Sequence, residues 1–235
     1  MKDLIQFIGG GLKDYLPLLV RIVAHPRTNI RTLATKPEPL HQAVMFFGVT
    51  LAIVLLLNAP LLMSDGDFLP KIGVLAAYKL IEVALSALAC VAVFRLLRGV
   101  AGYEPTLAAI LYIFSPAYLL LMFTHLFATG VIASVHPDLA EAHLRTGDLS
   151  QGSYDAIAEI DISVSLIIFG ASVIVLCAVF LWLAICWRVF AELNGFGRLR
   201  TIASFALCMA AMFAVSELCA LIVRGVYPQG LGVFL

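Results

Sequence analysis

Five apolar stretches, each long enough to cross a lipid bilayer, constrain this chain more than any other feature of its sequence. They cover about residues 43–63, 72–94, 107–131, 162–189 and 202–223. A transmembrane helix needs about 20 mostly apolar residues to cross about 30 Å of hydrocarbon. Because backbone exposed to lipid must satisfy its own hydrogen bonds, such segments form helices. The sequence therefore predicts an all-α integral membrane protein built on a five-helix transmembrane bundle.

The composition excludes a water-soluble or disordered chain. Hydrophobic residues make up 62% of the 235 residues and charged residues 13%, whereas a soluble domain has about 45–50% and about 25%. Disordered chains combine low hydrophobicity with high net charge, and here the formal net charge is zero. A chain without a net positive charge has no overall electrostatic attraction to nucleic acid. We therefore expect the lipid bilayer as its surroundings and no nucleic-acid partner.

The N-terminal segment, residues 1–40, differs from the transmembrane domain that follows at 41–235. Apolar residues recur there at helical spacing between charged ones, at Leu12, Leu16, Leu19, Ile22 and Val23. This pattern is typical of an amphipathic helix lying in the membrane interface. A cytosolic helix packed on the bundle is the alternative. In either case we expect the helix to end near Pro26, because the residue before a proline disfavours the α conformation.

Lys and Arg residues are distributed unevenly between the two sides of the predicted bundle. Eleven lie in the N-terminal segment and in the connections after the second and fourth spans, whereas three lie on the opposite side. Cytoplasmic loops carry the excess of Lys and Arg in membrane proteins. We therefore expect a multi-pass protein with its N-terminus in the cytoplasm and its C-terminus outside.

A few polar residues fall within the spans, at similar expected depths in the outer half of the membrane. They are Lys79, Glu82, His125, Glu217 and Asn58. Ionisable groups in hydrocarbon are costly and are candidates for function. One interpretation is an internal polar layer that holds the helices in register, and the other is a cavity for an ion, a proton or a lipid head group. We expect Lys79 to pair with Glu82 or Glu217, although snorkelling to the interface is an alternative.

Two further features concern helix shape and packing. Pro116 follows Ser115 in the middle of the third span, and it predicts a kink with Ser115 compensating for the lost backbone bond. A gating hinge at the same place is the functional alternative. Ala206, Ala210 and Ala214 form a stripe of small residues on the fifth span, which predicts close contact with another helix.

The sequence contains no recognisable catalytic or metal-binding motif. His136, Asp138, Glu141 and His143 cluster in the outer loop 132–161, but their spacing matches no zinc signature, and a solvated acidic helix at 137–145 explains them better. A second loop helix is expected from Ser153. The five cysteines lie in apolar stretches and are interpreted as small buried hydrophobes. We expect no enzymatic activity, no cofactor and no metal site.

Four short segments carry a family resemblance. They are HPRTNIR at residues 25–31, GYEPT at 102–106 followed by YIFSP at 112–116, and NGFGRLR at 194–200. With five spans and an expected cytoplasmic N-terminus, the chain resembles bacterial members of the Yip domain family over about residues 20–223. The Asp-Leu-Tyr-Gly-Pro signature of the eukaryotic members is missing, so binding to Rab-type GTPases is not implied.

The resemblance implies a non-enzymatic multispan inner-membrane protein that acts as a scaffold or adaptor for other membrane components. Its partners would be other membrane proteins or a second copy of the chain. The residues themselves leave an alternative open, which is a small transporter or channel subunit that uses the polar layer. Five spans without an internal repeat argue against a self-contained secondary transporter, but an oligomer can still form a path.

Overall fold

The computed structural model describes residues 2–57, 68–135 and 162–226, and within these ranges it contains helices and no strands. In chain order the helices are α1 (Lys2–Ala24), α2 (Pro26–Ala34), α3 (Pro39–Leu57), α4 (Phe68–Leu96), α5 (Tyr103–Val135), α6 (Ile162–Asn194) and α7 (Arg198–Val226). Helices α3 to α7 are long and apolar enough to cross a membrane. The predicted all-α, five-span fold with a preceding N-terminal helix is confirmed.

The helices extend beyond the apolar stretches that predicted them. Residues 132–135, which the sequence placed in the outer loop, continue α5, and α6 runs five residues beyond the expected end at 189. A helix continues past its hydrocarbon-spanning part until a residue stops it, and hydropathy marks only that part. The expected loop helices at 137–145 and from Ser153, and the histidines and acids at 136–143, lie outside the described residues.

Helix α5 is the centre of the bundle. In the apolar 18-residue stretch that qualifies α5 as a membrane span, 61% of the residues are buried, whereas the corresponding share is 11% in α6 and 22% in α7. Six consecutive residues, 108–113, are buried, which a helix achieves only when neighbours surround it. Those neighbours are α2, α3, α4 and α6, while α7 packs mainly on α4. Helices α6 and α7 therefore leave most of their apolar surface uncovered by the described chain.

Two helices end in left-handed caps at the same end of the bundle. After α6, Gly195 has a φ of 67°, and the Phe196 N–H donates to the Ala191 carbonyl at 2.8 Å. After α4, Arg98 has a φ of 64°, and the Gly99 N–H donates to the Phe94 carbonyl at 2.6 Å. Both are the cap in which a residue with positive φ reverses the chain. The short connections to α5 and α7 follow from these caps.

Helix α2 was not predicted from the sequence. The expected end of α1 near Pro26 is confirmed, since α1 ends at Ala24, but a new helix begins at Pro26 itself. Proline is favoured at the first position of a helix because its missing N–H has no acceptor there. Ile30, Leu33 and Ala34 are buried, where α2 packs on α5 and α6. Their i, i+3, i+4 spacing was the signal in the sequence.

Helix α1 packs on the bundle and still presents an apolar face. Tyr15 and Ile22 are buried, and the Tyr15 hydroxyl shares a 2.8 Å hydrogen bond with the Thr50 hydroxyl on α3. Burial raises the pKa of Tyr15, against the opposing effect of this hydrogen bond. On the neighbouring face Leu16, Val20 and Val23 are exposed. The helix thus combines features of the two expected arrangements, packing on the bundle and an amphipathic surface fit for lipid.

Whether a cysteine is buried depends on where its helix lies in the bundle. Cys90, Cys186, Cys208 and Cys219 are buried as expected, but Cys177 on α6 is exposed. The interpretation of Cys177 as a buried residue was wrong because α6 lies at the periphery, where an apolar residue need not be covered by protein. Sequence hydropathy does not distinguish a side chain that faces lipid from one that faces another helix.

Candidate functional site

A charged cluster joins α4 to α7 within the spanning part of the bundle. Lys79 Nζ lies 2.8 Å from Glu82 Oε2, one helical turn away on α4. Ser216 on α7 donates a 2.6 Å hydrogen bond to the other carboxylate oxygen, Glu82 Oε1. Glu82 is 8% exposed. Each oxygen of this buried carboxylate thus has a donor, which is what a charge in a low-dielectric environment requires.

Two tyrosine rings complete the surroundings of Lys79. Its ammonium nitrogen lies 4.8 Å from the ring centroid of Tyr78 and 5.9 Å from that of Tyr118 on α5. A cation within about 6 Å of an aromatic face is attracted by the ring quadrupole. Lys79 therefore turns toward protein groups on α4 and α5 and does not snorkel. This Lys79–Glu82–Ser216 cluster was only partly foreseen, since Ser216, Tyr78 and Tyr118 were not singled out from the sequence.

The other residues of the expected polar layer do not all join this cluster. Glu217 is exposed on α7, and it interacts electrostatically with Tyr78. Within the described residues it makes no ion pair, so Lys79 is paired with Glu82 and not with Glu217. His125 lies on α5, but its side chain is outside the described part, as is Asn58 altogether.

Ser115 and Pro116 lie inside an unbroken α5. Pro116 has no N–H to donate to the Tyr112 carbonyl four residues earlier. Ser115 donates instead to the Leu111 carbonyl at 2.8 Å, and the Trp182 indole N–H of α6 donates to the Ile113 carbonyl at 2.9 Å. Side chains therefore bind the carbonyls on either side of Tyr112, and α6 anchors the proline-containing turn.

One face of α7 carries small residues together with the exposed carboxylate. Ala206, Ala210, Ala214 and Glu217 lie within about 80° of each other on a helix of 3.6 residues per turn, and all four are exposed. The described helices of this chain thus do not cover the alanine stripe that predicted a close helix contact. We call these four residues the α7 outward face.

At the opposite end of the spans, two arginines of α2 bind one glutamate of α6. Arg27 and Arg31 both form ion pairs with Glu192, and the Arg31 Nη1 to Glu192 Oε2 distance is 2.9 Å. This end of the bundle, where α4 and α6 end and α5 and α7 begin, also carries Arg95, Arg188, Arg198 and Arg200. We call it the basic end.

A cavity of about 690 Å³ opens at the basic end between α2, α6 and the start of α7. Its polar lining consists of Arg27, Arg188, Arg198, Glu192 and Thr201. Three cationic side chains and one carboxylate give this lining a formal charge of +2. Such a site is suited to hold an anion, and none of these residues was singled out as a binding residue from the sequence.

Asn194 connects the two turns at the basic end. Its Oδ1 accepts a 3.0 Å hydrogen bond from the Ala101 N–H, and its Nδ2 donates to the Phe190 carbonyl at 2.9 Å. Gly99 passes so close that a Cβ there would collide with the Asn194 side chain and the Phe196 ring. The turn before α5 and the turn after α6 thus meet at one buried amide.

Comparisons of the chain with protein-family models, curated proteins and solved structures find no match. In the described residues, no group of three His, Cys, Asp or Glu side chains is arranged to hold a metal ion. The described residues offer ion pairing and hydrogen bonding at the Lys79–Glu82–Ser216 cluster, at the α7 outward face and in the cavity of the basic end.

Proposed function

We propose that this chain is a non-enzymatic scaffold or adaptor of the membrane whose α7 outward face binds a helix of another membrane protein. The observation that carries the proposal is Glu217, an exposed side chain without an ion-pair partner in the described residues, next to three exposed alanines. The resemblance to Yip domain proteins supports the same class of function.

The position of Glu217 favours a protein partner over lipid. It lies six residues, or about 9 Å, before the end of the span at Val223. A carboxylate at the centre of a bilayer costs about 2.5–3.5 kcal/mol on insertion scales, and less toward the interface. A neighbouring helix with a hydrogen-bond donor at this depth reduces that cost. The alanines allow the two backbones to approach closely, so that packing and the polar contact reinforce each other.

Charge favours a different protein over a second copy of the chain as the occupant. In a symmetric contact between two α7 outward faces, one Glu217 approaches the other, and like charges in close proximity disfavour ionisation of both. A partner helix bearing a lysine, an arginine or an amide at this depth avoids that repulsion. The adaptor therefore joins an unlike membrane protein.

The orientation belongs to the same proposal. Cytoplasmic loops are rich in Lys and Arg, so the basic end faces the cytoplasm. The N-terminus is then cytoplasmic and the C-terminus lies outside, in a bacterial cytoplasmic (inner) membrane. The α7 outward face consequently presents Glu217 in the outer half of the bilayer and Ala206 in the inner half.

Site-specific photocrosslinking in intact membranes tests the adaptor. A photoreactive amino acid at Ala210 should form a discrete adduct with one membrane polypeptide, and the same amino acid at the exposed Ala178 of α6 should not. Combining the probe with Glu217→Leu and Ala214→Leu should abolish the adduct, while Leu176→Ala on α6 should preserve it. An adduct of twice the chain's mass would identify the partner as a second copy of the chain. Adducts with lipid alone would overturn the adaptor proposal.

A small transporter or channel subunit is the second candidate, and the Lys79–Glu82–Ser216 cluster favours it. A buried carboxylate beside a lysine and two tyrosines is the type of site that binds an ion or passes a proton. Proteoliposomes containing a pH-sensitive dye test this: a transporter predicts a proton or cation flux that Glu82→Gln abolishes. Equal fluxes with wild-type protein and with empty vesicles would remove this candidate and leave the adaptor untouched.

A further inference from the structure

The cavity at the basic end has an excess of cations that the fold itself does not neutralise. Glu192 binds Arg27 and Arg31, so one carboxylate already serves two arginines. Arg188 and Arg198 also line the cavity, and within the described residues neither has a carboxylate at ion-pair distance. Two guanidinium groups with free donors therefore face a common space. Guanidinium is the group that proteins use for bidentate binding of phosphate.

The start of α7 increases the positive potential of this space. Gly197 precedes the helix and its carbonyl accepts the bond from the Thr201 N–H at 3.0 Å, so it occupies the capping position but has no side chain to bind the free N–H groups. Arg198 and Arg200 occupy the first turn, where the helix dipole disfavours cations. The first turn of α7 contains no acidic residue that offsets this repulsion. A bound anion does so instead.

The wall of the cavity on the side of the spans is apolar. Ala184 and Ile202 line it, and Ile202 is 67% exposed. The exposed Leu181 and Ile185 extend this surface along α6 away from the basic end. An anion with an attached hydrocarbon chain fits such a site better than a free ion, because its chains lie along apolar side chains while its charged group reaches the arginines. Basic pockets between transmembrane helices bind lipid head groups in this way.

We propose that the cavity between α2, α6 and α7 binds the phosphate group of an anionic phospholipid, with Arg188 and Arg198 as the principal ligands. Glu192 acts as a positioning residue, since it holds Arg27 at the rim of the cavity. The site is independent of the α7 outward face, so its test can fail while the adaptor proposal stands, and the reverse also holds.

Lipid titrations of the purified protein test the proposal. Phosphatidylglycerol should raise the temperature of unfolding of the wild-type chain, and phosphatidylcholine should not. The double variant Arg188→Gln/Arg198→Gln should weaken the apparent affinity for phosphatidylglycerol about tenfold or more, because it removes charge-assisted hydrogen bonds. The matched control Lys36→Gln/Arg95→Gln removes two exposed cations outside the cavity and should change that affinity less than about twofold.

Three results would overturn the lipid site. One is equal stabilisation of the wild-type chain by phosphatidylglycerol and phosphatidylcholine. Another is an equal loss of affinity in the two double variants, which indicates general surface charge. The third is full competition by inorganic phosphate at concentrations similar to the lipid's, which identifies a site for a soluble anion. Where Arg188→Gln/Arg198→Gln does not fold, native mass spectrometry of the wild-type chain in a mixture of both lipids makes the decision, since the proposal requires preferential retention of phosphatidylglycerol.

Discussion

Ser216 on α7 donates a 2.6 Å hydrogen bond to the Glu82 carboxylate on α4, 134 positions earlier in the chain. The other oxygen of the same carboxylate binds Lys79. The Ser216 hydroxyl therefore supplies a hydrogen-bond donor to the carboxylate oxygen that Lys79 does not bind. Because α7 packs mainly on α4, this contact holds a peripheral helix to the bundle by a polar group as well as by apolar packing.

Removing Lys79 alone should be more damaging than removing the whole ion pair. Lys79→Met leaves Glu82 as a buried charge with only Ser216 as donor, and breaking a buried pair in this way costs about 3–5 kcal/mol. Lys79→Met/Glu82→Leu removes the charge as well, and we expect it to recover most of that loss. Unfolding in detergent by denaturant measures both. A double variant as unstable as the single one would contradict the structural role of the pair.

Asn194 and Gly99 should show strongly non-additive effects. Asn194→Ala leaves the Ala101 N–H without its acceptor, at a cost of about 1–3 kcal/mol. Gly99→Ala places a methyl group against the Asn194 amide and the Phe196 ring, and overpacking of this kind costs about 1–3 kcal/mol. Since Asn194→Ala also removes the obstructing amide, the double variant should be more stable than the sum predicts. Additive free energies of unfolding would mean that the two residues do not share this space.

Glu192→Gln should loosen α2 without unfolding the bundle. Arg27 and Arg31 are both about half exposed, and exposed ion pairs contribute about 0–1 kcal/mol each. We expect faster tryptic cleavage after Arg27 and Arg31 in the variant. Raising the salt concentration should accelerate cleavage of the wild-type chain toward the rate of the variant, because salt screens exposed charges. Salt-independent cleavage of both chains would show that apolar packing alone holds α2.

Tyr112→Phe should leave stability unchanged or raise it by about 1 kcal/mol. The Tyr112 side chain is fully buried, and its hydroxyl has no hydrogen-bond partner in the described part of the chain. The variant therefore removes an unsatisfied polar group and keeps the ring that packs 5.5 Å from Phe46. Tyr15→Phe is the control, since its hydroxyl is bonded to Thr50 and its loss should destabilise. Clear destabilisation by Tyr112→Phe would indicate a partner for that hydroxyl.

The docking of α1 should weaken at alkaline pH through Tyr15. Its buried hydroxyl has a raised pKa, so the undocked helix releases the proton near pH ~10 while the docked helix retains it. The undocked state thus binds fewer protons in this range, and the stability of docking falls as pH rises above ~10. The mobility of a spin label at Val20 should increase with pH in the wild-type chain. The matched variant Tyr15→Phe should show no such tyrosine-linked transition, and an identical increase in it would refute this cause.

Much of the architecture follows from local properties of the sequence. The five spans were predicted because a run of apolar residues is a property of one segment, and the end of α1 was predicted because Pro26 acts on its own neighbour. Helix α2 was missed because its nine residues show the i, i+3, i+4 spacing only once, at Ile30, Leu33 and Ala34. Cys177 was misinterpreted because hydropathy does not separate lipid-facing from protein-facing positions.

The sequence by itself determined that this chain forms membrane-spanning helices and which ionisable residues they carry. Only the tertiary structure decided that Lys79 binds Glu82 while Glu217 faces outward, and that Arg27, Arg188 and Arg198 line one cavity. Spanning depends on the summed hydropathy of consecutive residues, which is additive along the chain. Pairing depends on the rotation and tilt of each helix against its neighbours, and packing of side chains distant in sequence sets those angles.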